Sequence, residues 1–128
     1  MAVASSGVDT RETVSLIGSD KVEGTAVYGA DQKKKIGKLE RVMLDKISGK
    51  VAYAVLSFGG FLGMGEDYYP VPWATLKYDE NLGGYLVNLT RDKLERAPKY
   101  TQSTGWNWTR ENDRRVSDYY GAAPYWGM

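Results

Sequence analysis

The sequence predicts an all-β fold, a small antiparallel barrel, and three observations carry that expectation. Fifteen glycines, ten tyrosines, four tryptophans and two phenylalanines in 128 residues suit short strands joined by tight turns better than packed helices. Strand-like runs recur between turn residues: Val22 to Tyr28, Lys35 to Asp45, Val51 to Leu56, Val71 to Trp73, and Tyr85 to Leu89. In the third run Val51, Tyr53 and Val55 point one way while Ala52, Ala54, Leu56 and Phe58 point the other, so both faces are apolar. A strand covered on both sides needs a barrel interior on one side and a second cover outside. A closing helix, the C-terminal segment or a second subunit would each supply that cover.

The elements follow in order. Residues 1–20 are small and polar without a sustained period and read as a flexible lead, with Val14-Ser15-Leu16-Ile17 as its one docking candidate. The second strand does not alternate cleanly. A bulge near Glu40 and Arg41 would turn Leu39, Val42 and Leu44 inward and curve the sheet. Asp45-Lys46-Ile47-Ser48-Gly49 predicts a turn with Gly49 at positive φ, and Asn81-Leu82-Gly83-Gly84 predicts another. Pro70 and Pro72 cannot donate ladder hydrogen bonds, which places the segment entering Trp73 at an edge or at the barrel mouth. Thr90 is positioned to cap a short helix from Arg91 to Ala97, with Asp92 in its first turn and Pro98 ending it. The barrel domain therefore spans residues 21–98.

Residues 99–128 form an arm of different composition, with Trp106, Trp108, Tyr119, Tyr120, Tyr125 and Trp126 among few aliphatics. Thr109 as cap and Gly121 as stop bracket a helix whose stripe is Val116, Tyr119 and Tyr120. Disordered tails are poor in aromatics, so this arm packs on its own barrel, on a neighbouring copy or on a partner.

Composition excludes whole function classes. The chain has no cysteine and no histidine, which removes disulfides, most zinc, copper and haem sites, and Ser-His-Asp or Cys-His catalysis. No catalytic, cofactor-binding or metal-ligating residues are predicted, and the expectation is a protein that is not an enzyme. Glu66-Asp67 and Asp79-Glu80 are adjacent pairs whose members face opposite ways along a strand, so they read as solvated turns. A net charge of +1 spread along the chain lacks the footprint of a nucleic-acid binder. Its one cluster, Lys33-Lys34-Lys35 with Lys38, reads as a solvated hairpin turn. Asn88-Leu89-Thr90 matches a glycosylation pattern at a strand end and is read as fortuitous. The N-terminus has neither a basic region nor a continuous apolar core like a signal peptide, and no run has the length of a membrane span. A cytoplasmic location is the expectation.

The most distinctive stretch is Phe58-Gly59-Gly60-Phe61-Leu62-Gly63-Met64-Gly65-Glu66-Asp67-Tyr68-Tyr69-Pro70-Val71-Pro72-Trp73, in which four glycines hold out three large apolar side chains. With the ordered strands before it and Leu94-Glu95-Arg96-Ala97-Pro98 after it, it resembles the PRC-barrel family. That family includes the cytoplasmic part of the photosynthetic reaction-centre H subunit and a domain of the ribosome-maturation factor RimM. The resemblance implies a scaffold for macromolecular contacts. Burying Phe61, Leu62 and Met64 is worth about 1.5–3 kcal/mol each, against an association cost of about 4–15 kcal/mol. One loop falls short, whereas a two-fold pair uses each contact twice. The expectation is a non-catalytic interaction module, a homodimer that also takes an unidentified protein partner. It would dock through Phe61, Leu62 and Met64, with Trp73, Trp106, Trp108, Tyr119, Tyr120 and Trp126 completing the contact. Two alternatives remain open: an RNA-associated role in ribosome maturation, and a small-ligand barrel in which Trp73, Tyr68 and Tyr69 form a recess for a quinone-like molecule.

Overall fold

Alternating apolar residues in this chain build seven strands of one sheet in the computed structural model, which describes residues 10–30, 34–58 and 67–127. In chain order the elements are α1 (Ser19–Val22), β1 (Ala26–Tyr28), β2 (Lys35–Leu44), β3 (Val51–Phe58), β4 (Asp67–Pro72), β5 (Leu76–Asp79), β6 (Gly84–Val87), α2 (Arg91–Glu95), β7 (Tyr100–Thr101) and α3 (Arg110–Tyr120). Hydrogen bonds connect the strands in the order β5-β6-β1-β2-β3-β4-β7. β4 and β5 lie toward opposite ends of that order, yet only the three-residue 3-10 turn Trp73–Thr75 separates them in sequence. So short a link forces the sheet to curl, and the sheet becomes the wall of the expected small barrel. One pairing adds to the antiparallel pattern: β1 runs parallel to β6, with Val27 opposite Tyr85.

The interior collects Val27, Leu39, Ala54, Leu56, Phe58, Tyr69, Val71, Leu76, Tyr85 and Val87 from six strands, with Val22 closing the core beside α1 and Leu94 and Ala97 closing it beside α2. The β2 register shifts between Leu39 and Arg41, which is the bulge expected from the sequence. Leu39 is fully buried and Val42 packs against the same core. Leu44 departs from expectation. A second irregularity between Met43 and Leu44 turns it outward, 53% exposed, while Met43 packs on the opposite face under the arm. Gly37 lets β2 lie close against β3, because a Cβ there would collide with the Ser57 carbonyl oxygen and the Phe58 ring.

The predicted turns and caps form. Gly49 and Gly83 have φ of 78° and 67°, and the Asp45 and Asp79 side chains accept from the amides two and three residues on. Two backbone hydrogen bonds hold the Asp45 carboxyl below the usual carboxylate range. Thr90 caps α2 by accepting from the Lys93 amide. The opening run begins differently, since residues 19–22 form a helical turn and the strand starts only at Ala26. Ahead of it, a Glu12–Ile17 bridge holds a turn from which Ile17 packs on the core, while Val14 and Leu16 are exposed. Among the described residues no helix is long and apolar enough to cross a membrane.

Candidate functional site

β3 is buried along nearly its whole length, and the arm supplies its outer cover. The chain leaves β7 through a turn in which the Thr101 and Thr104 side chains bond each other and one another's amides, and Gly105 takes a φ of 65°. Thr109 then caps α3 by accepting from the Asn112 amide at 3.1 Å. Gly121, with φ 66° and ψ 28°, stops it. Its amide and that of Ala122 return to the Asp118 and Ser117 carbonyls, as left-handed caps do. Val116 is fully buried against Ala52 and Tyr53, with Met43, Trp106, Trp108, Tyr120 and Tyr125 packed around them. The Tyr119 hydroxyl donates to the Lys93 carbonyl oxygen, tying α3 to α2.

Ring contacts run through the arm as one ladder. Tyr68 stacks on Tyr100 at 5.3 Å, Tyr100 meets Trp106 at 6.1 Å, and Trp106 meets Trp108 at 6.4 Å between centroids. Trp108 lies 5.4 Å from Tyr53, Tyr53 lies 5.6 Å from Tyr125, and Tyr125 lies 5.2 Å from Trp126. Two arginines of α3 close over indole faces: Arg110 on Trp126 at 4.2 Å and Arg115 on Trp106 at 5.8 Å. Contacts of this kind are worth about 0.5–1.5 kcal/mol each beyond the area they bury.

Of the residues singled out in the sequence, Trp106, Trp108, Tyr119, Tyr120 and Trp126 all lie in this arm and are partly buried against their own chain. Trp73 lies elsewhere, packed on the barrel core and edge-on to Tyr85 at 5.4 Å. Tyr69 pairs with Phe58 and Tyr68 with Tyr100, so Trp73, Tyr68 and Tyr69 do not assemble the recess expected of them. Phe61, Leu62 and Met64 lie outside the described residues. The two ends of their loop are described: Phe58 pairs with Asp67, and Asp67 pairs in turn with Thr101 at the start of the arm. A 3.4 Å ion pair from Lys99 to Asp67 reinforces that junction.

Sequence reasoning missed two buried polar residues of α3, Asp113 and Ser117. Their spacing from Val116, three residues before it and one after, would have placed both on or beside its stripe. Polarity hid them. Burial pushes the Asp113 carboxyl above the usual carboxylate range, with Arg110 partly offsetting it. Burial likewise pushes the Tyr53 phenol up to about 12, and the nearby Ser117 hydroxyl draws it partly back. Burial also raises the Tyr120 phenol.

No curated protein matches the chain. The family model described as PRC-barrel domain matches residues 16–94, a span that covers β1 to β6 and most of α2 and leaves the arm outside. With more than half of its length matched and the curled sheet in place, this chain belongs to the PRC-barrel family.

Proposed function

We propose that the chain is a non-catalytic, cytoplasmic interaction and assembly module that pairs with a second copy of itself through the loop at 59–66. The observation that carries this reading is the junction at the loop's base. Asp67 is bonded to β3 on one side and to β7 on the other, so the apolar loop and the aromatic arm leave the barrel at the same place. A surface built from both has more area than the loop alone, which the association cost requires.

Light-scattering mass measurement tests the reading on the wild type and on the double variant Phe61→Asp, Leu62→Asp, with circular dichroism checking that both are folded. A wild-type dimer that becomes a folded monomer in the variant is expected. A monomeric wild type at high concentration overturns the homodimer.

A second reading, a small apolar ligand, is favoured by a cavity of about 440 Å³ between Leu16 and Ile17 on one side and Trp73, Leu76, Tyr78 and Tyr85 on the other. It is within the size range of small-molecule sites. A quinone that raises Tm and quenches tryptophan fluorescence would move the assignment to that cavity. The RNA reading needs α3 arginines facing phosphate, and the engagement of Arg110 and Arg115 with Trp126 and Trp106 weighs against it.

A further inference from the structure

The seam between the arm and β3 holds a set of buried polar atoms that lack partners. Among the described residues, the Tyr53 hydroxyl, Trp106 Nε1, one Asp113 carboxylate oxygen, the Ser117 hydroxyl and the Tyr120 hydroxyl are buried without a hydrogen bond. Four of the five belong to the arm, and the fifth belongs to the strand residue it covers. Asp113, Ser117 and Tyr53 are 5%, 1% and 2% exposed. Ser117 lies one turn beyond Asp113 on α3, and both act on the Tyr53 phenol from across the seam. The Ser117 hydroxyl is a near neighbour of that phenol without forming a hydrogen bond of good geometry.

An ionised Asp113 accepts hydrogen bonds but gives none, and a buried carboxylate lacking partners is costly. A protonated Asp113 is neutral, so it is buried at far smaller cost and gains an O–H to donate. We propose that the C-terminal arm is a proton-gated cover, docked on β3 when Asp113 carries a proton and loosened when Asp113 is ionised. Release would uncover Ala52 and Tyr53 on the outer face of β3. This gate is independent of which partner the module takes.

Among the described residues, the charged and titratable groups that act on or feel the Asp113 carboxyl are Arg110 and Tyr53. Arg110 is one turn earlier on the same helix, already drawn over the Trp126 ring. Tyr53 faces it from β3, with Tyr125 beyond, and burial keeps the Tyr53 phenol neutral up to about pH 12. Arg110 lowers the carboxyl's proton affinity and burial raises it, and burial is the larger effect. Docking raises the proton affinity of Asp113 above its ordinary value of 3.8, so docking is strongest below that pH and weakens as pH rises through the raised value.

The test is amide hydrogen exchange of the full chain from about pH 4 to about pH 8, read as protection factors so that intrinsic exchange is removed. Amides of α3 are compared with those of Val55 and Leu56. Protection of α3 is expected to fall by up to about tenfold per pH unit across the titration while β3 protection stays level. Asp113→Asn is expected to abolish the slope and to keep α3 at its acid level of protection near neutral pH. Asp118→Asn, an exposed acid on the same helix, is expected to leave the slope intact. A flat wild-type profile overturns the proposal, as it would if an internal water satisfied the cluster. So does a slope that survives in Asp113→Asn, or one that Asp118→Asn removes.

Discussion

The barrel interior and the arm seam are both well buried, and they are built by different chemistry. The interior is drawn from six strands and from aliphatic side chains such as Val27, Leu39, Leu56, Val71 and Val87, all fully buried. Those side chains have no polar atoms to satisfy. The seam is aromatic, with α3 and the ring-bearing segments beside it packed on β3, β4 and Met43 of β2, and among the described residues it contains five buried polar side-chain atoms without a hydrogen bond. Each orphan costs about 1–3 kcal/mol, enough to offset the roughly 0.5–1.5 kcal/mol that a ring pair adds. Burial alone therefore does not rank the two regions. On that balance the barrel is expected to unfold as the cooperative unit, with the arm a cover held at a smaller margin.

Leu56→Ala should weaken the barrel more than any other single change considered. A cavity at a fully buried site in the middle of β3 is expected to cost about 2–5 kcal/mol in denaturant unfolding, and to lower protection in barrel and arm together. Gly37→Ala is next. The added methyl meets backbone as well as a ring, so a loss of about 1–3 kcal/mol of global stability is expected. Val116→Ala removes about 2 kcal/mol of burial from the seam. Its loss should appear as faster exchange in α3, with the barrel's unfolding midpoint nearly unchanged. Thr109→Ala removes the cap of α3 and should cost about 1 kcal/mol, again confined to the arm.

Local chemistry was legible in the sequence. The bulge beside Glu40, the positive φ of Gly49 and the caps Thr90 and Thr109 depend on residues within a few positions of one another, and all formed as expected. The two apolar faces of β3 correctly required an outer cover, which the arm provides. Features decided by distant partners were not legible. Nothing near Val27 announces its parallel pairing with Tyr85, 58 positions away in sequence. Leu44 turned outward because a second register shift followed the first. Asp113 and Ser117 were hidden because a polar residue on a helix reads as solvent-facing until the opposite surface is known. The arm's aromatic composition marks it as a packing element, whereas which ring meets which depends on the position of Tyr53.

If barrel and arm are energetically separable, wild-type amide exchange near neutral pH separates them. The predicted result is that the amides of Val116, Ser117 and Tyr120 exchange at least about tenfold faster than those of Val55 and Leu56, through an opening that leaves the barrel intact. Equal protection in the two sets, falling together in denaturant, would contradict it and make the arm part of the barrel's single folding unit.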